Sequence, residues 1–425
     1  MKKKLFKFNI WSKDLFPLNR SLTGEGNLKT LNYIKKNINK NFKIKKVKSG
    51  TRCYDWKIPL EWKVKNAYFD DGEKKYCDFK KNNLHLIGYS TKIKKKIHFN
   101  QLKKKLHFLK EQPNAIPYIT SYYNKNWGFC ISYNQYKKLN KNKSYKVNID
   151  TSFKKGNMHY GEFFLKGKSK KEILITSYIC HPSMANNELS GMLVASALSK
   201  LIRKSKYSLR ILLIPETIGA IYFIHKFRKH LQNNLVAGFN LSCVGDNNSH
   251  TLISSINENT YSDVIAQRIL SKYKYTKKNF LFRGSNERQF GCKKLNLPFV
   301  TICRSRFGDY KKYHTSLDNL SFIKSKSMLE TTKIMNNIIN EINTSKIFIK
   351  NTYCEPFLSK HNLAKKVSKY KSQANKEKKI LSDFIAYCGK DNDLKTISKF
   401  INLPINKVEK ISKLLSNKKI IKPYV

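Results

Sequence analysis

Hydrophobic spacing changes twice along the chain, and those changes divide it. Residues 24–38, GEGNLKTLNYIKKNI, set Leu28, Leu31, Ile34 and Ile38 at helical spacing behind a glycine-rich turn, which predicts an amphipathic helix; the alternating FKIKKV at 42–47 predicts a strand. From about Thr51 to Lys141 the segments become short, aromatic and alternating: CYDWKIPLEWKVKNAYF, NLHLIGYS and WGFCISY. These predict a separate β-rich module. Beyond it the rhythm is strand, then helix. YKVNIDTSF, YGEFFLKG and EILITSYI read as strands, NELSGMLVASALSKLIRK as a helix, and RILLIPE at 210–216 as a short apolar strand ending on a carboxylate. A helix near 218–231, the strand-like LVAGFNLSCVG at 235–245, a helix near 261–273, the strand LPFVTICRS at 297–305 and a long helix over 325–344 complete the series. Continuous apolar strands between amphipathic helices predict an α/β domain with a mostly parallel sheet and helices on both faces. In such sheets ligands bind outside the carboxyl ends of the strands.

The last stretch differs again. LKTISKFINLPINKVEKISKLLSNKKII has the helix, turn, helix and β-tail order of a winged helix, preceded by a lysine-rich linker at 360–379. The expected organisation is therefore a discontinuous α/β domain of residues 1–50 and 142–350, an inserted β-rich domain at 51–141, and a linker with winged helix at 360–425.

With 40% hydrophobic residues in 425, the chain can bury real cores. Lys7, Asn9 and Lys13 interrupt the apolar run near the start, and no later segment offers the roughly 18 uncharged apolar residues of a membrane span. Nine scattered cysteines without a CxxC pair suggest neither a disulfide framework nor a structural zinc module, and a reducing cytoplasm is the simplest setting. The net charge of +57 raises the question of a polyanion partner, yet only ten of the 85 basic residues are arginine and the lysines lie on nearly every surface-like stretch. A dedicated reader of phosphates or bases concentrates arginine on one face. The charge is read as general surface composition, with weak attraction to acidic partners at low salt. Lys407, Lys410 and Lys413 on the second helix of the expected winged helix leave nucleic acid or protein as its partner.

Polar clusters fall at the predicted strand ends: His181, Asn187 and Glu188 after EILITSYI, Glu216 after RILLIP, Asp246 after FNLSCVG, and YHTSLD with His314 beyond LPFVTICRS. A loop, RGSNERQF at 283–290, adds Arg283, Glu287 and Arg288. A parallel sheet brings these to one rim, where two histidines and a carboxylate would match a catalytic zinc site and a free carboxylate could take a proton. Each piece alone has an ordinary alternative: His181 in a turn, Glu216 as a helix cap, His314 packed on the surface, Asp246 in a turn, and RGSNERQF as a solvated loop. Their common placement favours a site.

LFPLNRSLTGEG, YDWKIPLEW, SYICHPSMANNELSG, IPETIGAI, CVGD, RGSNERQF and YHTSLDNL together resemble a bacterial aminopeptidase-like family whose members carry polysaccharide-biosynthesis names. The resemblance spans nearly the whole chain. It implies a zinc-peptidase-like core, an inserted β-rich domain and a C-terminal winged helix. The core resembles more distantly the di-zinc aminopeptidases. There the metal-bridging Asp falls on Asn187, a paired glutamate ligand on Thr217 and a later Asp ligand on Ser242, with the base position kept as Glu216 and a ligand position as His314. The resemblance so implies one zinc ion, held by His181, Glu188 and His314, with Glu216 as proton acceptor, Arg283 or Arg288 gripping a substrate carboxylate or oxyanion, and Asn187 and Asp246 supporting. The expected activity is hydrolysis of an amide in a small peptide-like substrate. The alternatives are a ligand-binding or regulatory protein, and an enzyme of surface-polysaccharide assembly. No membrane partner is expected, and a homo-oligomer remains open.

Overall fold

The computed structural model describes residues 6–363 and 373–424; residues 364–372 of the expected linker lie outside them. An eight-stranded mixed sheet forms the centre. Its order is Lys43–Lys48, Asn157–Leu165, Tyr207–Ile214, Ser169–Tyr178, Leu235–Leu241, Phe299–Cys303, His250–Ile253, Tyr275–Lys278. The four middle strands, from Tyr207–Ile214 to Phe299–Cys303, run parallel, while antiparallel pairs join them to the strands on either flank. His181, Glu216 and Ser242 therefore leave the sheet on one edge, just past the carboxyl ends of three neighbouring parallel strands.

Side-chain alternation sends successive residues of a strand to opposite faces, and both faces here are covered. Ile173 and Ile175 join one core with the helices Gly191–Leu201, Tyr261–Leu270 and Ser325–Thr344. Leu174, between them, joins a second core with the helix Ile218–Asn234 and with Trp62, Phe69, Phe129 and Val147 of the β-rich part. The β-rich part thus shares a hydrophobic core with the α/β part.

One expected boundary is corrected. The strand Ser144–Lys154, placed in the α/β domain by sequence, pairs with Glu61–Asp70 and Ile93–His98 in the four-stranded sheet of the inserted part. Its alternation suits either sheet, and the partners that decide lie far away in sequence. Two short strands of the main sheet, His250–Ile253 and Tyr275–Lys278, and the helix Phe8–Leu15 were not anticipated.

At the carboxyl terminus the helices Gln373–Tyr387, Leu394–Phe400 and Ile405–Asn417 enclose a small core of their own. The strand after them, Ile421–Pro423, pairs antiparallel with Phe348–Lys350, a segment that precedes the helices. Arg268 clamps this unit to the α/β part, donating to both oxygens of Asp393 at 2.7 and 2.8 Å and to Glu341 at 2.8 Å. Among the described residues, no helix is long and apolar enough to cross a membrane.

His250, at the start of a sheet strand, is 2% exposed and its Nε2 has no partner. Burial, with Arg304 nearby, depresses its pKa to about 4. The unfolded chain takes up this proton near pH 6.5 and the folded chain does not. The associated stability is therefore present above about pH 6.5 and lost as pH falls toward 4, by about 3 kcal/mol in all. Urea unfolding at pH 7 and pH 4.5 should show a smaller acid loss in His250→Leu than in the wild type; equal losses would refute the assignment.

Candidate active site

The site is built where Ser169–Tyr178 ends. The chain continues through Cys180 and His181, passes Ser183 in the left-handed region (φ 41°), and enters a π-helical turn, Ala185–Ser190, before the helix Gly191–Leu201. A π turn is uncommon outside functional sites. Here it swings Glu188 back onto the segment it has just left. Glu188 Oε2 accepts from the Cys180 amide at 2.7 Å, from the His181 amide, and from His181 Nδ1 at 3.0 Å, while Oε1 accepts from Arg20 Nε at 2.5 Å. Arg20, fully buried, also donates to the carbonyls of Leu15 and His181.

Glu188 fixes the proton on His181 Nδ1 and turns Nε2 toward Glu216, whose Oε2 lies 3.9 Å away. Burial works against a charged His181, yet Cys180 and Glu188 outweigh it and hold its pKa well above the ordinary range. Burial also raises the Cys180 thiol and keeps it neutral, so Glu188 must carry that effect. Cys180, His181 and Glu188 do not form a cysteine-nucleophile triad. Cys180 Sγ, at 3.6 Å, and Glu188 share the same histidine nitrogen, whereas a triad uses both.

Glu216 ends the neighbouring strand. Its amide donates to Cys180 Sγ at 3.2 Å, and Thr217 after it is held at φ 62°. Asn286 Oδ1 accepts from the Thr217 amide at 3.3 Å and Arg288 donates to the Thr217 hydroxyl at 2.8 Å, so RGSNERQF supports this turn. Burial raises the Glu216 pKa, opposed by the charges of His181 and Arg288. Its side chain keeps 18% of its surface exposed, enough to meet a ligand.

His314 arrives from the loop after Phe299–Cys303, also with a left-handed backbone (φ 53°), and its ring centroid lies 5.3 Å from that of His181. Its Nε2 is buried without a partner, and burial beside His181 depresses its pKa to about 3, leaving a neutral imidazole. Tyr118, from the inserted part, packs on both rings at 5.3 and 5.1 Å, and its amide donates to the His314 carbonyl. Ser183, Thr217, Cys243 and His314 give the edge four left-handed non-glycine residues, a concentration of strain that accompanies functional loops.

The structure therefore brings His181, Glu216 and His314 together and gives the other expected residues different work. Glu188, expected as a ligand, has its oxygens engaged by Arg20, two amides and His181, and it orients the His181 ring. Asp246 accepts from Asn186 Nδ2 at 2.7 Å and from the amides of Asn248 and Ser305, tying the π turn to the next loop. Glu287, 1% exposed, accepts from the amides of Gly284 and Ser285 and from Thr301 and Asn240, which makes it a loop strut and not a catalytic group. Arg283 is exposed and stacks on Phe280. Arg288 alone of the two arginines stands beside Glu216. Asn187 accepts from the Tyr178 hydroxyl at 3.0 Å and leaves a buried Nδ2 unpartnered. Sequence reasoning missed Arg20, Tyr118 and Asp318, which accepts from the amides of Asn186 and Asn187 and from Tyr310. The rarity of arginine in so lysine-rich a chain was the available signal for Arg20.

Among the described residues, Cys180, His181 and Glu188 offer donor atoms within 4.8 Å of one another, with the Arg20 guanidinium on Oε1 of Glu188. His181 Nε2 faces Glu216 Oε2 across 3.9 Å and His314 Nε2 is buried without a partner, though these three side chains are spread more widely than the Cys180, His181 and Glu188 group.

This sheet and its loaded carboxyl edge define an aminopeptidase-like α/β protein: a zinc aminopeptidase from Bacillus subtilis superposes with TM-score 0.56 over 79% of this chain and 95% of its own, at 11% identity. The chain belongs to the family described as a domain of unknown function, DUF4910, whose profile matches residues 9–345. A relative from Clostridium acetobutylicum, named a polysaccharide biosynthesis protein with aminopeptidase-like domain, is 38% identical over 363 residues, 83% of this chain and 81% of that one. A crystal structure from the same organism, provisionally named a peptidase, superposes with TM-score 0.80 at 32% identity, covering 98% of this chain and 96% of that one.

The Arg20–Glu188 pair supplies a stability test. Removing one member of a fully buried ion pair strands the other, at a cost of about 3–5 kcal/mol. Arg20→Met should lower the urea midpoint accordingly, and Arg20→Met/Glu188→Gln should recover part of the loss; a single-variant loss below about 1 kcal/mol would contradict the pairing.

Proposed function

We propose that the protein is an aminopeptidase-like, metal-dependent hydrolase of an amide bond in a small peptide-like substrate. The observation that carries this reading is the pairing of a tautomer-fixed His181 with Glu216 across 3.9 Å at the carboxyl edge of the parallel strands. His181, His314 and Glu216 would hold one zinc ion. What zinc supplies when bound is Lewis acidity, which makes water nucleophilic at neutral pH and polarises a carbonyl. Glu216, with Oε2 toward His181, would keep its second oxygen to receive a proton and pass it to the leaving amine. Arg288, at the Thr217 turn, is placed to draw a substrate carboxylate. The buried Asn187 amide offers a donor toward the same space.

A second reading is a binding protein without turnover. It is favoured by Asn187, Thr217 and Ser242, which remove the carboxylates that di-zinc relatives use. The name of the Clostridium acetobutylicum relative adds a setting, an amide-directed step in polysaccharide assembly.

Protein purified without a metal-affinity column should carry close to one zinc per chain, as measured by plasma mass spectrometry. His181→Ala and His314→Ala should each lose it. Glu216→Gln should lower hydrolysis of aminoacyl anilides by about 10²-fold or more, with the unfolding midpoint nearly unchanged. A chain that retains no zinc under any loading and cleaves no anilide would leave only the binding reading.

A further inference from the structure

A cavity of about 500 Å³ opens beside this site, between the turn at 49–60 and the loop at 122–125. Large apolar side chains stand exposed around it: Leu60 is 43% exposed, Tyr122 40% and Tyr123 49%, with Tyr54 and Trp56 on the neighbouring turn at 54% and 39%. Exposed apolar groups gathered in one place mark a surface that another molecule covers. The walls are held in place. Tyr123 donates from its hydroxyl to the Lys57 carbonyl at 2.8 Å and meets Trp56 edge-on at 6.2 Å, and Tyr122 sits in a left-handed backbone at φ 44°.

The charge around the cavity is one-sided. Lys57, Lys125 and Lys155 line it, none of its lining residues is acidic, and none of the three lysines makes an ion pair among the described residues. Surface lysines are everywhere on this chain; what distinguishes these is their place around an aromatic wall with no carboxylate to answer them. A sugar would find few acceptors or carboxylates here for its hydroxyls, whereas an apolar body with an anionic end finds both its complements.

Tyr122 connects the cavity to the site. It stands next to Tyr118, whose ring packs on His181 and His314, and within reach of the Glu216 carboxylate. Tyr122 is thus a shared wall.

We propose that this cavity is the subsite for one side of the substrate, an aryl or long acyl group ending in an anion, with the amide bond lying past Tyr122 beside Glu216. The assignment rests on the hydrolase reading and narrows it, from any small amide to one with an anionic apolar end. The aromatic walls take the body of the group, and Lys57, Lys125 and Lys155 take the charge. The cavity is contributed by the inserted part and the turn that leads into it, so the core supplies the chemistry and the insertion the selection.

The probe is naphthalene-2-sulfonate, titrated calorimetrically into the full chain at 0.3 M salt (an ionic strength of about one-third molar, which screens the general surface charge). One saturable site is expected. Affinity should fall by about tenfold for neutral naphthalene-2-methanol, for the triple variant Lys57→Gln/Lys125→Gln/Lys155→Gln, and for Tyr123→Ala, the size of one lost charged or aromatic contact. Sulfate alone should not compete. Affinity that is unchanged across these variants, or binding at many weak sites, overturns the subsite.

Cleavage separates the two readings. With anilides of an N-terminal aryl amide, anionic members should be preferred over neutral ones, and Tyr123→Ala should raise KM with little change in kcat. Cleavage with no such preference overturns the subsite and leaves the hydrolase reading standing. Tight probe binding in a chain that cleaves no amide overturns the hydrolase reading, and with it the cavity's assignment to a substrate.

Discussion

The buried contact between Arg20 and Glu188 is the constraint around which the candidate site is arranged. Arg20 comes from the segment before the first long helix and Glu188 from the π turn after a central strand, so a single ion pair joins the start of the chain to the middle of its sheet. A carboxylate buried without a counter-charge would be protonated or would expel its loop. With Arg20 on one oxygen, the other is free to collect the Cys180 and His181 amides and His181 Nδ1. The orientation of His181 is therefore set by a residue far away in sequence, and the direction of Nε2, toward Glu216, follows from it.

Counting carboxylates around the edge leads to the same place. Glu188, Asp246, Glu287 and Asp318 are each at most 1% exposed, and each has its oxygens taken up by backbone amides or fixed side chains. They shape four loops. Glu216 is the carboxylate left with open surface, set beside His181 and Arg288. An edge rich in acidic residues by sequence thus has most of its carboxylates already engaged.

That distinction was beyond the sequence, though much else was legible. Apolar runs such as EILITSYI and RILLIPE lie buried in parallel strands, and the polar clusters after them do share an edge, because strand polarity and strand ends are local properties of the pattern. Whether a carboxylate is free or occupied is not local. Glu188 was read as a ligand from the resemblance, and its contact with Arg20, 168 residues away, lies outside any local pattern. Glu287 was read as catalytic because it stands in a polar loop; its partners Thr301 and Asn240 belong to two other strands. The strand Ser144–Lys154 was assigned to the wrong side of a boundary for the same reason, since its period-two pattern names a face and not a neighbour.

Arginine usage offers a way to recover some of this from sequence. In a chain that uses lysine almost wherever a positive charge is needed, four of the ten arginines stand where a lysine could not serve. Arg20 divides its guanidinium between a carboxylate and two carbonyls, Arg210 bridges Glu162 and Glu172, Arg268 holds both oxygens of Asp393 together with Glu341, and Arg304 joins a carbonyl to Glu330. Each needs several donors in a fixed plane, which an ammonium cannot give. Where composition pushes so strongly toward lysine, a retained arginine marks a structural joint. Arg288, which reaches the Thr217 hydroxyl and lies beside the open carboxylate of Glu216, is retained at the one such position that faces the candidate site.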